Sequence, residues 1–177
     1  MKAAIVFIIC VILLGCEKEK FFAGDKSFLF ISEYYNYAWG FQHWGWVIDN
    51  KGKLRTFKLP EKWHDVDKDG YLTEAEMLDN YAQTDSSSVR IDSKELNAKV
   101  LQLYMAAGGK LSDPKSEMFD AGIVTYSGFI YVSKIGKYKR ILLKQTGDIY
   151  IENQSCQAKE LYNWMLNIRQ TQINPYP

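Results

Sequence analysis

The sequence predicts an α+β fold in one domain, with mostly antiparallel pairing. Short runs over residues 45–59 and 123–151 alternate apolar and polar side chains. Three longer segments instead space their apolar residues by three and four. Turn residues stand close enough to join successive strands directly, which is how antiparallel neighbours are connected. In chain order, the apolar run 28–31 reads as a strand. Residues 45–48 and 53–59 read as a β-hairpin around Asp49-Asn50-Lys51-Gly52, where glycine accepts a positive φ and Asp49 or Asn50 can bond nearby backbone. An acidic loop follows at 65–76. A helix over 73–83 places Met77, Leu78 and Tyr81 on one face, and residues 84–88 form a polar connection. Asp92-Ser93-Lys94-Glu95 has the form of a capping box and opens a second helix, with Leu96, Val100, Leu103, Tyr104 and Ala107 on its stripe and Gly108-Gly109 at its end. The segments 123–132, 138–143 and 149–151, separated by turns at 134–137 and 146–148, form a three-stranded meander. Ser155 caps a last helix whose stripe is Ala158, Leu161, Tyr162, Met165 and Ile168. The expected boundaries are a domain at 27–171 and a tail at 172–177.

The loop carries the most specific chemistry in the chain. Asp65, Asp67, Asp69, Tyr71, Thr73 and Glu76 place oxygen donors at the first, third, fifth, seventh, ninth and twelfth positions, with Gly70 at the sixth. In that spacing the segment closely resembles an EF-hand calcium loop. The resemblance implies carboxylate ligands from Asp65, Asp67 and Asp69, a backbone carbonyl from Tyr71, a water-mediated contact at Thr73 and a bidentate carboxylate from Glu76. Carboxylates crowded into one turn repel each other, and a divalent cation relieves that repulsion. Two departures from the family stand beside the match. Pro60 leaves only Glu61-Lys62-Trp63-His64 ahead of the first ligand, room for about one turn of an entering helix. No second loop of the same spacing occurs, although EF-hands usually work in pairs. The expectation is therefore a structural Ca²⁺ that braces the fold.

At the N-terminus, Lys2 is followed by an apolar run over 3–14 that ends in Leu13-Leu14-Gly15-Cys16. The run is about a dozen residues long, short of the roughly 20 that span a bilayer. This resembles a bacterial lipoprotein signal with a lipobox. The resemblance implies cleavage of residues 1–15, fatty acylation at Cys16 and attachment to the membrane through that lipid. Residues 16–26 then serve as a tether. Its Glu17-Lys18-Glu19-Lys20 is similar to the surface-export signal of Bacteroidota lipoproteins, so the expected address is the bacterial cell envelope, at the outer membrane and facing either side of it.

Charge excludes one class of partner. With 22 basic and 21 acidic side chains interleaved along the chain, no basic stripe exists to capture phosphates, and nucleic acid is not an expected partner. Of the three cysteines, Cys10 leaves with the leader and Cys16 is acylated. Cys156 then stands alone, without a disulfide, as a small, partly buried residue at a helix start. Catalysis finds little support. Two histidines, His43 and His64, accompany scattered Ser and Asp residues, with neither a nucleophile elbow nor a phosphate loop. No catalytic residue is assigned, and zinc lacks a ligand set.

The stretch of Tyr34, Tyr35, Tyr37, Trp39, Phe41, Trp44 and Trp46 is open to two readings. Such rings fill a small core, the more frequent use, or they present a surface that contacts a glycan or an envelope protein. The function expected is that of a calcium-binding envelope lipoprotein with a structural or ligand-binding role. The competing class is an envelope hydrolase of glycan or peptide that uses calcium as a brace.

Overall fold

The computed structural model describes residues 26–172 and shows one mixed α+β domain with a nine-stranded antiparallel sheet and three helices. The expected leader 1–15, Cys16, nearly all of the expected tether and residues 173–177 lie outside the described residues. The strands are β1 (Phe28–Asn36), β2 (Gln42–Asp49), β3 (Lys53–Lys58), β4 (Tyr71–Thr73), β5 (Asp85–Arg90), β6 (Lys115–Ser116), β7 (Ile123–Val132), β8 (Lys137–Gly147) and β9 (Ile149–Glu152). The helices are α1 (Glu74–Ala82), α2 (Ser93–Ala106) and α3 (Cys156–Gln172). The sheet runs β5-β3-β2-β1-β7-β8-β9-β6, and β4 pairs with β8 off this path. Among the described residues, no helix is long and apolar enough to cross a membrane.

Both faces of the sheet are covered, so successive side chains along the central strands enter different cores. Phe30, Trp46, Ile48, Tyr126, Ile130, Ile141 and Leu143 pack with Leu103 of α2 and with Leu161 and Met165 of α3. The intervening Ile31, Val47, Phe57, Phe129 and Tyr138 face the other way, under Leu72 and Met77 of the acidic loop and α1. Trp63 stacks on Phe57 with ring centroids 4.3 Å apart and shields this second core from the loop side.

Most expected turns and caps have the anticipated local cause. Gly52 turns at φ +78°, and Asp49 Oδ1 accepts from the amides of Lys51 and Lys53. Ser155 Oγ accepts from the Ala158 amide at the start of α3. Asp92 caps α2 by accepting from the amides of Lys94 and Glu95. The Glu95 carboxylate is turned to α3, accepting from Trp164 Nε1 at 2.6 Å.

Several elements differ from expectation. Strand β1 runs on to Asn36 and pairs with β2 from Gln42, so the aromatic stretch is itself a hairpin. Residues 84–88, expected as a polar connection, fall largely within β5, which forms an edge strand on β3. On α1, Leu78 is exposed while Asn80 is buried. The α2 stripe buries Ala106, not Ala107. Cys156 opens α3 but is exposed.

Candidate metal centre

The acidic loop lies on the second face of the sheet, fastened from several sides. The chain leaves β3 through Leu59, at φ +48°, and runs to Asp65 with no helix entering the loop. A side chain takes over that anchoring. Asn80 of α1, 1% exposed, donates to the His64 carbonyl and accepts from the His64 amide, both at 2.8 Å, so its amide oxygen and nitrogen both hold the backbone just ahead of Asp65. His64 Nε2 stands 3.2 Å from Asp79 Oδ2, a contact beside the loop.

Within the loop, Asp67 organises the turn. Its Oδ1 accepts from the amides of Asp69 at 3.0 Å and Tyr71 at 2.9 Å, and its carbonyl accepts from the Gly70 amide. Those backbone donors, that of Tyr71 first, hold the Asp67 carboxyl below its ordinary range. Gly70 sits at φ +84°, where side-chain-bearing residues are strained, although a Cβ there would meet nothing within 4 Å. The glycine is required by backbone conformation, not by crowding. Tyr71, Leu72 and Thr73 then form β4, with Leu72 2% exposed in the core. Thr73 is the N-cap of α1. Its hydroxyl accepts from the Glu76 amide, and Glu76 Oε2 accepts from the Thr73 amide and hydroxyl at 2.8 and 2.9 Å. This reciprocal box lowers the Glu76 carboxyl, with the Thr73 amide as the leading cause.

The sheet supplies the rest of the frame. Strand β4 pairs with β8 at Tyr71↔Lys139, Leu72↔Tyr138 and Thr73↔Lys137, so the short strand of the loop takes its hydrogen-bonding partner from the sheet. The Arg140 amide donates to the Gly70 carbonyl at 2.8 Å. Tyr35 of β1 donates to Asp65 Oδ1 at 2.9 Å, and burial, then the charges of Glu33 and Asp65, push its phenol upward, so it stays a donor. Beneath lies a small cleft lined in part by Glu33, Trp63, His64, Asp65 and Arg140. The Glu33 carboxylate is 4% exposed, with Thr125 Oγ1 at 3.2 Å, His43 Nε2 at 3.6 Å and Arg140 Nη1 at 3.8 Å around it. Sequence reading missed Lys137, Arg140 and Asn80, because their places beside the loop follow from strand pairing and helix docking.

As the side chains stand, no three His, Cys, Asp or Glu groups among the described residues converge as metal ligands. Asp65, Asp67 and Glu76 are each held by a protein donor, while Asp69 lies on the exposed turn. The donor set is nonetheless all oxygen. Oxygen is the donor type a hard divalent cation takes, and Gly70, within that set, is at positive φ.

The aromatic stretch divides by position on its hairpin. Trp46 is 2% exposed in the helical core, whereas Tyr34, Tyr35 and Trp44 are half-buried. Tyr34 and Trp44 lie with centroids 5.0 Å apart. At the tip, Tyr37, Trp39 and Phe41 are 74%, 78% and 50% exposed. Phe119, 90% exposed, belongs to a segment tied to the same end of β1, where Asn36 Nδ2 donates to the Asp120 carbonyl. No protein-family model, no curated protein and no solved structure matches this chain.

Proposed function

We propose that this protein is a calcium-binding lipoprotein of the bacterial envelope, in which Ca²⁺ at residues 65–76 braces the junction between the sheet and α1. The observation that carries the reading is the loop itself: oxygen donors at Asp65, Asp67, Asp69, Tyr71, Thr73 and Glu76, with Gly70 at φ +84° in the sixth position. When bound, the ion supplies positive charge that neutralises the carboxylates. Asp67 and Thr73 fix the backbone that presents the donors, and Tyr35 orients Asp65 from the sheet. Without an entering helix, affinity falls in the range of extracellular modules, about 10⁻⁴ to 10⁻³ M. At tenfold excess over Kd, binding adds roughly 1.4 kcal/mol of stability. Calorimetric titration and thermal melts in calcium and in chelator test this. Binding heat and a calcium-raised Tm are expected, both much reduced in Glu76→Gln, and identical melts with no heat up to several millimolar calcium would overturn it.

The envelope address rests on Leu13-Leu14-Gly15-Cys16. Mass spectrometry of membrane-extracted protein is expected to find acyl chains on Cys16, and Cys16→Ala to release the protein from the membrane. Exposure of Tyr37, Trp39 and Phe41 supports a ligand-binding role for the hairpin tip, toward a glycan or an envelope protein. Trp39→Ala should leave the Tm unchanged and abolish binding to that partner.

A further inference from the structure

We infer that Lys137 is a built-in counter-cation of the acidic loop, which an incoming calcium ion must push aside, so that this lysine sets the affinity of the site. The inference rests on the calcium reading and concerns what that reading leaves open, namely how a loop so rich in carboxylates is kept folded without metal. The pairing of Thr73 with Lys137 brings the first residue of β8 alongside the end of the loop. From there the Lys137 ammonium reaches Asp67 Oδ2 at 3.4 Å, with the two side chains 38% and 42% exposed. Asp67 is also the residue whose other oxygen holds the turn, so the ammonium neutralises the carboxylate at the centre of the loop.

Two other cations of the same strand have different partners. Arg140 is directed to Glu33, Lys139 lies over the Tyr71 ring at 5.7 Å, and Glu74 accepts from Tyr131. A lysine suits a displaceable counter-ion, since its charge is compact and rides on a flexible stem that can swing into water. Calcium at the loop would place two positive charges next to the ammonium and compete with it for Asp67 Oδ2. The lysine therefore stabilises the metal-free loop and opposes the loaded one, by an amount limited through solvent screening.

The test compares wild type, Lys137→Met and Lys137→Arg by calcium titration and by melts in calcium and in chelator. Lys137→Met is expected to bind calcium about three- to tenfold more tightly, the scale of one partly screened charge. Its Tm in chelator should fall, while its Tm in saturating calcium does not fall. Lys137→Arg, which keeps the charge, should keep near-wild-type affinity, and the difference between Met and wild type should shrink at high salt. Unchanged or weaker calcium affinity in Lys137→Met, or an equal loss of Tm in both conditions, would overturn the role of Lys137 while leaving the calcium site standing. Absence of calcium binding in the wild type would instead remove the calcium reading, and this inference with it.

Discussion

Gly45 shows how tightly the central strands approach one another. A Cβ built there would lie 2.2 Å from the Ser32 carbonyl oxygen and 2.9 Å from Glu33 Cα, both backbone atoms of the neighbouring strand. Backbone cannot swing away as a side-chain end can, so Gly45→Ala is expected to cost about 2–4 kcal/mol, read by urea unfolding. Tyr150 offers a pH test away from the loop. Its phenol donates to Glu152, and that bond, ahead of burial and charge, pushes its pKa up to about 12. The folded value lies above the unfolded one of about 10, so the contribution is complete below pH 10 and is lost as pH rises toward 12. Tyrosinate absorbance should show one phenol moving back toward the ordinary range in Glu152→Ala. An unchanged titration would show that the hydrogen bond is not the cause.

Among the elements, Asn153 acts as a junction. Its Nδ2 donates to the carbonyls of Ala106, at the end of α2, and Leu142 in β8, at 3.0 and 3.3 Å. Its Oδ1 accepts from the amide and hydroxyl of Ser155, the cap of α3. Gly109 permits the approach, since a Cβ there would stand 2.0 Å from Asn153 Oδ1. Asn153→Ala removes a donor from each of these carbonyls, of which that of Ala106 keeps the Gly109 amide, and loosens the α3 cap, and a loss of roughly 1–3 kcal/mol by denaturant unfolding is expected. Element identity was legible wherever the cause is local. The turn at Gly52, the cap at Asp92 and the stripe of Leu161, Met165 and Ile168 all follow from residues within one or two turns of each other. Strand β5 was not legible, because Asp85-Ser86-Ser87-Ser88-Val89-Arg90 lacks an apolar face and is extended through its pairing with β3.

For the whole molecule, the sheet is shared by two cores, one under α2 and α3 and the other under α1 and the loop. Leu161→Ala removes a side chain 0% exposed in the first, and Phe57→Ala one 4% exposed in the second. Each is expected to cost roughly 3–5 kcal/mol and to lower the same single unfolding transition, because the strands contribute to both cores. Two separate transitions in calorimetry would show that the faces unfold independently. By itself the sequence determined the donor spacing of the loop, the conformational need for Gly70, the helix caps and most of the apolar stripes, since these depend on neighbours along the chain. The tertiary structure alone decided that β8 pairs with the loop strand, that Lys137 reaches Asp67, that Asn80 holds the His64 backbone, and that Trp46 is buried while Trp39 is exposed. Each of these joins residues far apart in the chain, and only sheet register and helix docking bring such residues within hydrogen-bonding or packing distance.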